Sequence, residues 1–381
     1  MIDYQQRLDT ARRHMAELGI DAMYLCPSSD AQYLTGIKRE APNPTHTHLR
    51  GDWIFGLWVT PTEAVFVVPE MISRFVIPEI EKKSFLTDHL TLNPPQAIET
   101  YAERLISRLD LTGGCLAVPK TALAKTIVNL SRLFPHMRFA TTESFTAGMR
   151  MVKDATEVEK MRAAATLTDK IFADILPMLK SGMTELEVAV EIDFQIRRRG
   201  ADGCSFHTGV MVKGPGKPNG IGGAGSTTLD KGCTLAFDFG LVLDGYCSDF
   251  GRTVYIGEPT DEMVFYHELV MSAQKAGIDA MKAGTITAEA LNGVSREVIE
   301  AAGHGEKFFH RLGHGIGSDV HEFPFLDIGY TTILEQGMTF TIEPSIFIPE
   351  KLLIRVEDVV LVTREGGEPL NKATKEILVV A

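Results

Sequence analysis

Four acidic residues of this sequence stand inside apolar runs, where strand-like surroundings disfavour them. The segment LAFDFGLVLDGYCSDFGRTVYIG, from Leu235, holds two of them, Asp238 and Asp249. Within it, Asp244-Gly245 is a strong two-residue hairpin turn. With those residues as the loop, Asp238 falls opposite Gly251 and Gly240 opposite Asp249. The two aspartates then lie diagonally on one sheet face, roughly 7–8 Å apart at the backbone. Carboxylates reaching inward need compensation, because an unpaired buried charge is costly. A cation cluster supplies it; otherwise one aspartate lies at the surface and the other pairs with Arg252.

Two further segments favour the cations. TFTIEPSIFIP sets Glu343 in an apolar run, and LLIRVEDVVLVT does the same for Glu357. A three-residue loop at Pro349–Lys351 sets the two glutamates opposite each other, whereas a two-residue loop breaks that parity. A fifth group comes from FFHRLGHGIGSDVHEFP, where His314 lies between Gly313 and Gly315. Missing side chains on both sides let the backbone approach a crowded centre. His310 and His321 flank it; any one histidine alone reads as a core residue, but not all three.

Four carboxylates and one imidazole form an oxygen-rich set that suits manganese(II), iron(II), cobalt(II) or zinc(II). Carboxylates can bridge two ions about 3.5–4 Å apart, a spacing that lowers the pKa of a shared water and polarises a carbonyl oxygen. Hydrolysis of an amide or related C–N bond is the chemistry such a set performs. Gly220, Gly222 and Gly225 fit GxGxxG, but neither the strand nor the helix of a dinucleotide site flanks them. His321-Glu322 does not open an HExxH helix, and no GxSxG or GxxxxGK[ST] occurs.

The elements that must position these groups follow from periodicity. Tyr4 to Leu18 is amphipathic and closes at Gly19, and the strand-like IDAMYLC starts at Ile20. Strand-like runs recur at Trp53–Val59, Ala64–Val68 and Cys115–Val118, and helical ones near Gln96–Leu109 and Thr121–Phe134. That alternation predicts an α/β domain over residues 1–150. The charged stretch RMVKDATEVEKMR opens a second domain, 151–381, with a helix that Gly182 ends. Thr184 and Glu187 form a capping-box pattern for the next helix, which closes at Arg197–Arg199. There the arginines suit the helix dipole on a solvated face. Glycine-rich loops and strands follow, then helices near Glu262–Lys282 and Thr287–Ala302, then strands again. The element order hints at an internal duplication, although no sequence repeat accompanies it.

Composition bounds the rest. The 381 residues are 44% hydrophobic and carry a formal net charge of −12, which argues against nucleic-acid or anionic-membrane partners. No run approaches the ~18 apolar residues of a membrane span, and MIDYQQRLDTARRHM lacks the apolar core of a signal peptide. Cys26, Cys115, Cys204, Cys233 and Cys247 form no CxxC, so free thiols in a reducing, cytoplasmic compartment are expected.

With these motifs in order, the sequence resembles the creatinase/prolidase/aminopeptidase P group of pita-bread metallohydrolases. MVKDATEVEKMR, FDFG…DGYCSDFGRT, HRLGHGIGSDVHE, TIEP and IRVED carry the resemblance in the C-terminal part; GIDA and YLTG carry it more weakly in the N-terminal part. It implies a mixed α/β (α+β) fold, a creatinase-type N-terminal domain followed by a pseudo-twofold pita-bread domain, acting as a homodimer. It also implies two divalent ions, manganese before cobalt, iron or zinc, held by Asp238, Asp249, His314, Glu343 and Glu357. In that scheme Asp249 and Glu357 bridge the ions, and Glu343 carries the proton of the attacking water. His321 stabilises the tetrahedral intermediate; His310 and Arg355 line the pocket. Apart from that scheme, His207, on or near a strand in CSFHTGVMV, is a further candidate for the pocket wall. Two departures stand out. Asn219 occupies the place of a usual histidine, and GRT stands where TRT is ordinary.

The expected activity is cleavage of Xaa-Pro dipeptides or N-terminal Xaa-Pro bonds. The alternatives are the same fold acting on a small non-peptide substrate, as in ectoine hydrolase, creatinase or dimethylsulfoniopropionate lyases, or a non-catalytic binding protein. THTHLRGDW, Thr45–Trp53, collects His46, His48, Arg50 and Trp53 in a loop that either reads the substrate or is plain surface.

Overall fold

Asp3 accepts a hydrogen bond from the Gln6 backbone and starts α1 (Tyr4–Glu17), whose Leu8, Ala11 and Met15 are buried at helical spacing. The computed structural model describes residues 2–39, 50–93, 96–219 and 223–380. The chain divides into two units, Met1–Arg150 and Met151–Ala381. In the first, α1 is followed by β1 (Ala22–Leu25), α2 (Ser29–Thr35), β2 (Gly56–Val59), β3 (Ala64–Pro69) and α3 (Glu70–Glu81). Then come β4 (Asp88–Leu92), α4 (Ile98–Arg108), β5 (Cys115–Val118), α5 (Ala124–Leu133), β6 (Arg138–Thr141) and α6 (Glu143–Met151). The strands form one mixed sheet in the order β4-β3-β2-β1-β5-β6.

Strand alternation gives this sheet two apolar faces. Met23, Leu25, Leu57 and Val59 pack with Leu8, Ala11 and Met15, while Ala22, Tyr24, Trp58 and Leu116 pack with Tyr101, Leu105 and Leu130. The strand expected from Trp53 begins only at Gly56, and Trp53 itself is a buried core residue. Arg50 donates to the Gln96 carbonyl. His46 and His48 lie outside the described residues, as do Gly220 and Gly222.

The second unit begins with two capped helices. Asp154 and Glu157 form a capping box on α7 (Ala155–Ile175), and Thr184 and Glu187 form another on α8 (Glu185–Arg198). Six strands follow: β7 (Gly203–Cys204), β8 (Gly209–Lys213), β9 (Thr234–Phe239), β10 (Leu241–Leu243), β11 (Tyr246–Cys247) and β12 (Phe250–Ile256). A second helix pair, α9 (Asp261–Ala280) and α10 (Ala288–Ala301), precedes β13 (Gly313–Gly315), β14 (Glu322–Leu326), β15 (Thr339–Ile342) and β16 (Ser345–Ile348). The chain closes with β17 (Leu352–Arg355), β18 (Asp358–Val362), β19 (Gly367–Pro369) and β20 (Leu378–Val380). Each helix pair covers its own apolar core, one over β8, β9 and β12, the other over β15, β17 and β18. The duplication hinted at by element order is therefore present in the packing.

Both hairpins have the expected register. Leu243 pairs with Tyr246 around Asp244 and Gly245, which have φ of 49° and 82°, and Asp238 pairs with Gly251. Ile348 pairs with Leu352, leaving Pro349–Lys351 as the loop. The pairs Ile342↔Asp358 and Ser345↔Arg355 belong to different sheets but keep one register, with Glu343 and Glu357 at the break between them. The five cysteines are thiols rather than disulfides. Among the described residues, no helix is long and apolar enough to cross a membrane.

Candidate metal centre

Five chain segments bring their acids and imidazole to one cavity of about 850 Å³, lined by Asp238, Asp249, His310, His314, His321, Glu343, Arg355 and Glu357. Asp238 projects from β9, and Asp249 immediately precedes β12. His314 is the middle residue of β13, Glu343 follows β15, and Glu357 precedes β18. One oxygen each of Asp238, Asp249 and Glu357 lies within 4.8 Å of the others. His314 Nε2 is 3.5 Å from both Asp249 Oδ2 and Glu343 Oε1.

Backbone pairing fixes this convergence. The Glu357 N–H donates to the Gly251 carbonyl at 2.9 Å. A Cβ on Gly251 would stand 2.8 Å from Glu357 Oε2, so the bare glycine makes room for that carboxylate. A Cβ on Gly313 would stand 1.9 Å from the Thr341 carbonyl oxygen, so β13 can close on β15 only with glycine beside His314.

Burial dominates the electrostatics of this cluster. Burial raises Asp249 to about 6, with the charge of Asp238 adding to the effect. Burial and the neighbouring Asp249, Glu343 and Asp238 push Glu357 well up. Burial would raise Glu343 too, but the neighbouring charge, that of Arg355 foremost, outweighs it and holds that carboxyl below its usual range. Arg355 pairs with Asp238 and lies 3.9 Å from Glu343. Even so, Asp249 Oδ1 and Glu357 Oε2 are buried with no hydrogen-bond partner.

The remaining expected residues divide. His310 lines the cavity; its Nδ1–H donates to the Arg311 carbonyl at 2.7 Å, and its Nε2 accepts from the Ser345 hydroxyl. Burial, and then Arg355, lower its pKa to about 4, so the ring is neutral. The rings of His321 and His314 meet edge to face at 4.1 Å. His207 is exposed and does not line the cavity; the next residue back, Phe206, does. Asn219 is exposed as well. Its side chain reaches Glu350, whose left-handed backbone at the β16–β17 tip presents an N–H to the asparagine oxygen. The expected placement of His207 and Asn219 in the pocket is thus corrected. Sequence reasoning missed Phe206, Arg296, Phe309, Arg311, Val320, Asp327 and Ile328 in the wall; Arg311 and Val320 stand inside HRLGHGIGSDVHE, and the others carry no motif.

Residues 159–364 match the profile of metallopeptidase family M24, and residues 7–152 that of the creatinase/prolidase N-terminal domain. The chain belongs to metallopeptidase family M24. Its fold is accordingly a creatinase-type N-terminal domain followed by a pita-bread domain. An M24 relative, the Xaa-Pro dipeptidase of Lactobacillus delbrueckii subsp. lactis, is 40% identical over 249 residues, 65% of this chain and 67% of that protein. The Xaa-Pro dipeptidase of Pyrococcus furiosus is 28% identical over 376 residues, 98% of this chain and 100% of that one. The recombinant prolidase of Thermococcus sibiricus superimposes with a TM-score of 0.90 at 28% identity, covering 100% of both chains.

M24 membership implies divalent metal ions, and the residues of this cavity fit them. Two donorless carboxylate oxygens inside a buried acidic cluster are groups that divalent cations would satisfy. His314 Nδ1 is 3.0 Å from the Gly315 carbonyl, so it carries the proton and leaves the Nε2 lone pair facing Asp249 and Glu343.

Proposed function

We propose that this M24 chain is a dinuclear metallopeptidase that cleaves Xaa-Pro dipeptides or N-terminal Xaa-Pro bonds. The observation that carries the reading is the pair of unsatisfied buried oxygens, Asp249 Oδ1 and Glu357 Oε2, on one cavity with Asp238, His314 and Glu343. Those five residues would hold two ions. Bound there, divalent cations supply Lewis acidity, lowering the pKa of water and polarising a carbonyl oxygen. Manganese(II) is the first choice for so carboxylate-rich a set, with cobalt, iron or zinc as substitutes.

The chain's own residues supply the rest. Glu343 is held as a carboxylate, and its Oε1 already accepts from Thr341 at 3.1 Å, so Oε2 takes the proton of the attacking water. Neutral His310 cannot serve as an acid at neutral pH; with Arg355 it shapes the pocket wall. His321, beside His314 at the cavity, stabilises the developing oxyanion. Phe206, Phe309, Val320 and Ile328 give that wall the apolar surface a proline ring would bury. Asn219, which stands in the place of a usual histidine, faces Glu350 instead of this cavity. A homodimer is the proposed working form, supported by the exposed stripe Leu186, Val190 and Phe194 along α8. The thiols support a cytoplasmic setting.

The test is a panel of Xaa-Pro dipeptides and tripeptides offered to manganese-loaded protein beside ectoine and creatine. Turnover confined to the peptides supports the proposal, and turnover of ectoine or creatine alone overturns it. Glu343→Gln should cut kcat by at least about 10²-fold while leaving the fold intact.

A further inference from the structure

Helix α9 carries a polar residue on its buried face. Gln274 is 1% exposed and sits among Val270, Ala273, Gly277 and Ile278. Its amide Nε2 donates to the Ile342 carbonyl at 3.1 Å, the Val356 carbonyl at 3.2 Å and Asp358 Oδ2 at 3.2 Å. Two N–H groups serve three acceptors, so one bond is shared. The amide orientation is fixed from behind, because Oε1 accepts from Lys375 Nζ at 2.8 Å.

The two carbonyls belong to the residues immediately before Glu343 and Glu357. At that point the β15–β18 ladder stops at Ile342↔Asp358, and the β16–β17 ladder resumes at Ser345↔Arg355. One side chain therefore ties both strands where the sheets part. Asp358, its third acceptor, also receives Arg252 Nη2 at 2.8 Å. Arg252 Nη1 in turn donates to the Glu357 carbonyl at 2.6 Å and the Gly251 carbonyl at 2.8 Å.

We propose that Gln274 is a positioning residue: by gripping the Ile342 and Val356 carbonyls with one amide, it sets the separation of Glu343 and Glu357, and so the affinity of the cavity for divalent cations. This rests on the metal reading above. Functional groups must be held to within about 0.5 Å of their working geometry. Loss of an outer hydrogen bond to a ligand typically costs roughly 10–100-fold in metal affinity. A merely structural glutamine would lower the melting temperature and leave the affinity of the folded protein alone.

The experiment titrates metal-stripped full-length protein with cobalt(II), following its visible absorption bands. Wild-type protein takes up cobalt; if it takes up none, the metal reading fails and the inference falls with it. Gln274→Met should bind cobalt roughly 10–100-fold more weakly, with shifted bands. Gln274→Glu keeps the shape and the acceptor for Lys375 but cannot donate to the two carbonyls, and should behave alike. Either variant, folded and matching wild-type affinity and spectrum, overturns the proposal. A third measurement needs no variant: in wild-type protein with ¹⁵N-labelled glutamine, zinc(II) should slow solvent exchange of the Gln274 side-chain amide. Unchanged exchange on zinc binding would also overturn it.

Discussion

Arg355 forms an ion pair with Asp238 inside the same cavity that holds Asp249, Glu343 and Glu357. Its guanidinium is thus a resident counter-charge to a cluster of acids. Arg355→Met should destabilise the metal-free protein towards the lower end of the roughly 3–5 kcal/mol seen for broken buried pairs, because Asp238 retains some solvent contact. Divalent metal should restore much of that loss. Thermal melts of stripped and loaded protein check both statements; equal melts for variant and wild type without metal would contradict the assignment.

Glu357→Gln separates folding from cation binding. The amide replaces a carboxyl whose ionised form burial and its acidic neighbours oppose, so the metal-free variant should melt no lower than wild type. Its upward shift on manganese addition should vanish, since stabilisation by a ligand requires binding to the native state. Differential scanning fluorimetry with and without manganese reads both arms.

Gly251→Ala adds one methyl group where Glu357 Oε2 would stand 2.8 Å away. The expected result is an intact fold with metal uptake reduced roughly 10-fold or more, as for other displaced ligands. Elemental analysis after dialysis against limiting manganese measures it, and full uptake would show that Glu357 relaxes freely.

The Cys204 thiol is pushed up to about 11 by burial and then by Asp193, to which it donates at 3.3 Å. A raised thiol pKa leaves the neutral form dominant, with about one thiolate in a thousand at pH 8. Alkylation of Cys204 should be correspondingly slow and rise about tenfold per pH unit up to pH 11. Asp193→Asn should speed it, as mass spectrometry of iodoacetamide-treated protein would record.

Much of this molecule is legible in the chain because register is an arithmetic property. Asp244-Gly245 fixes a two-residue turn, so Asp238 must face Gly251, and the parity of Pro349–Lys351 aligns Glu343 with Glu357. Capping boxes at Asp154 and Thr184 mark helix starts for the same local reason. The edge strands β4 and β6 escape because Asp88, His89, Thr91 and Arg138 leave no apolar run to detect. His207 was misjudged since the chain there is not regular strand, and alternation gives no facing. Asn219 was misjudged because a motif position does not report what the loop folds against. Gln274 left a readable trace, a polar residue amid the apolar stripe of a helix, but its partners lie 68 and 82 positions away.

The five groups of the cavity lie in or beside five separate strands spread between Asp238 and Glu357. No short peptide cut from this chain could reproduce their arrangement, and an unfolded chain offers only scattered, weak chelators. Cation capture should therefore come late in maturation, once the two strand systems have docked. A colorimetric chelator competing for the ion during refolding would act as a stopwatch for that final assembly.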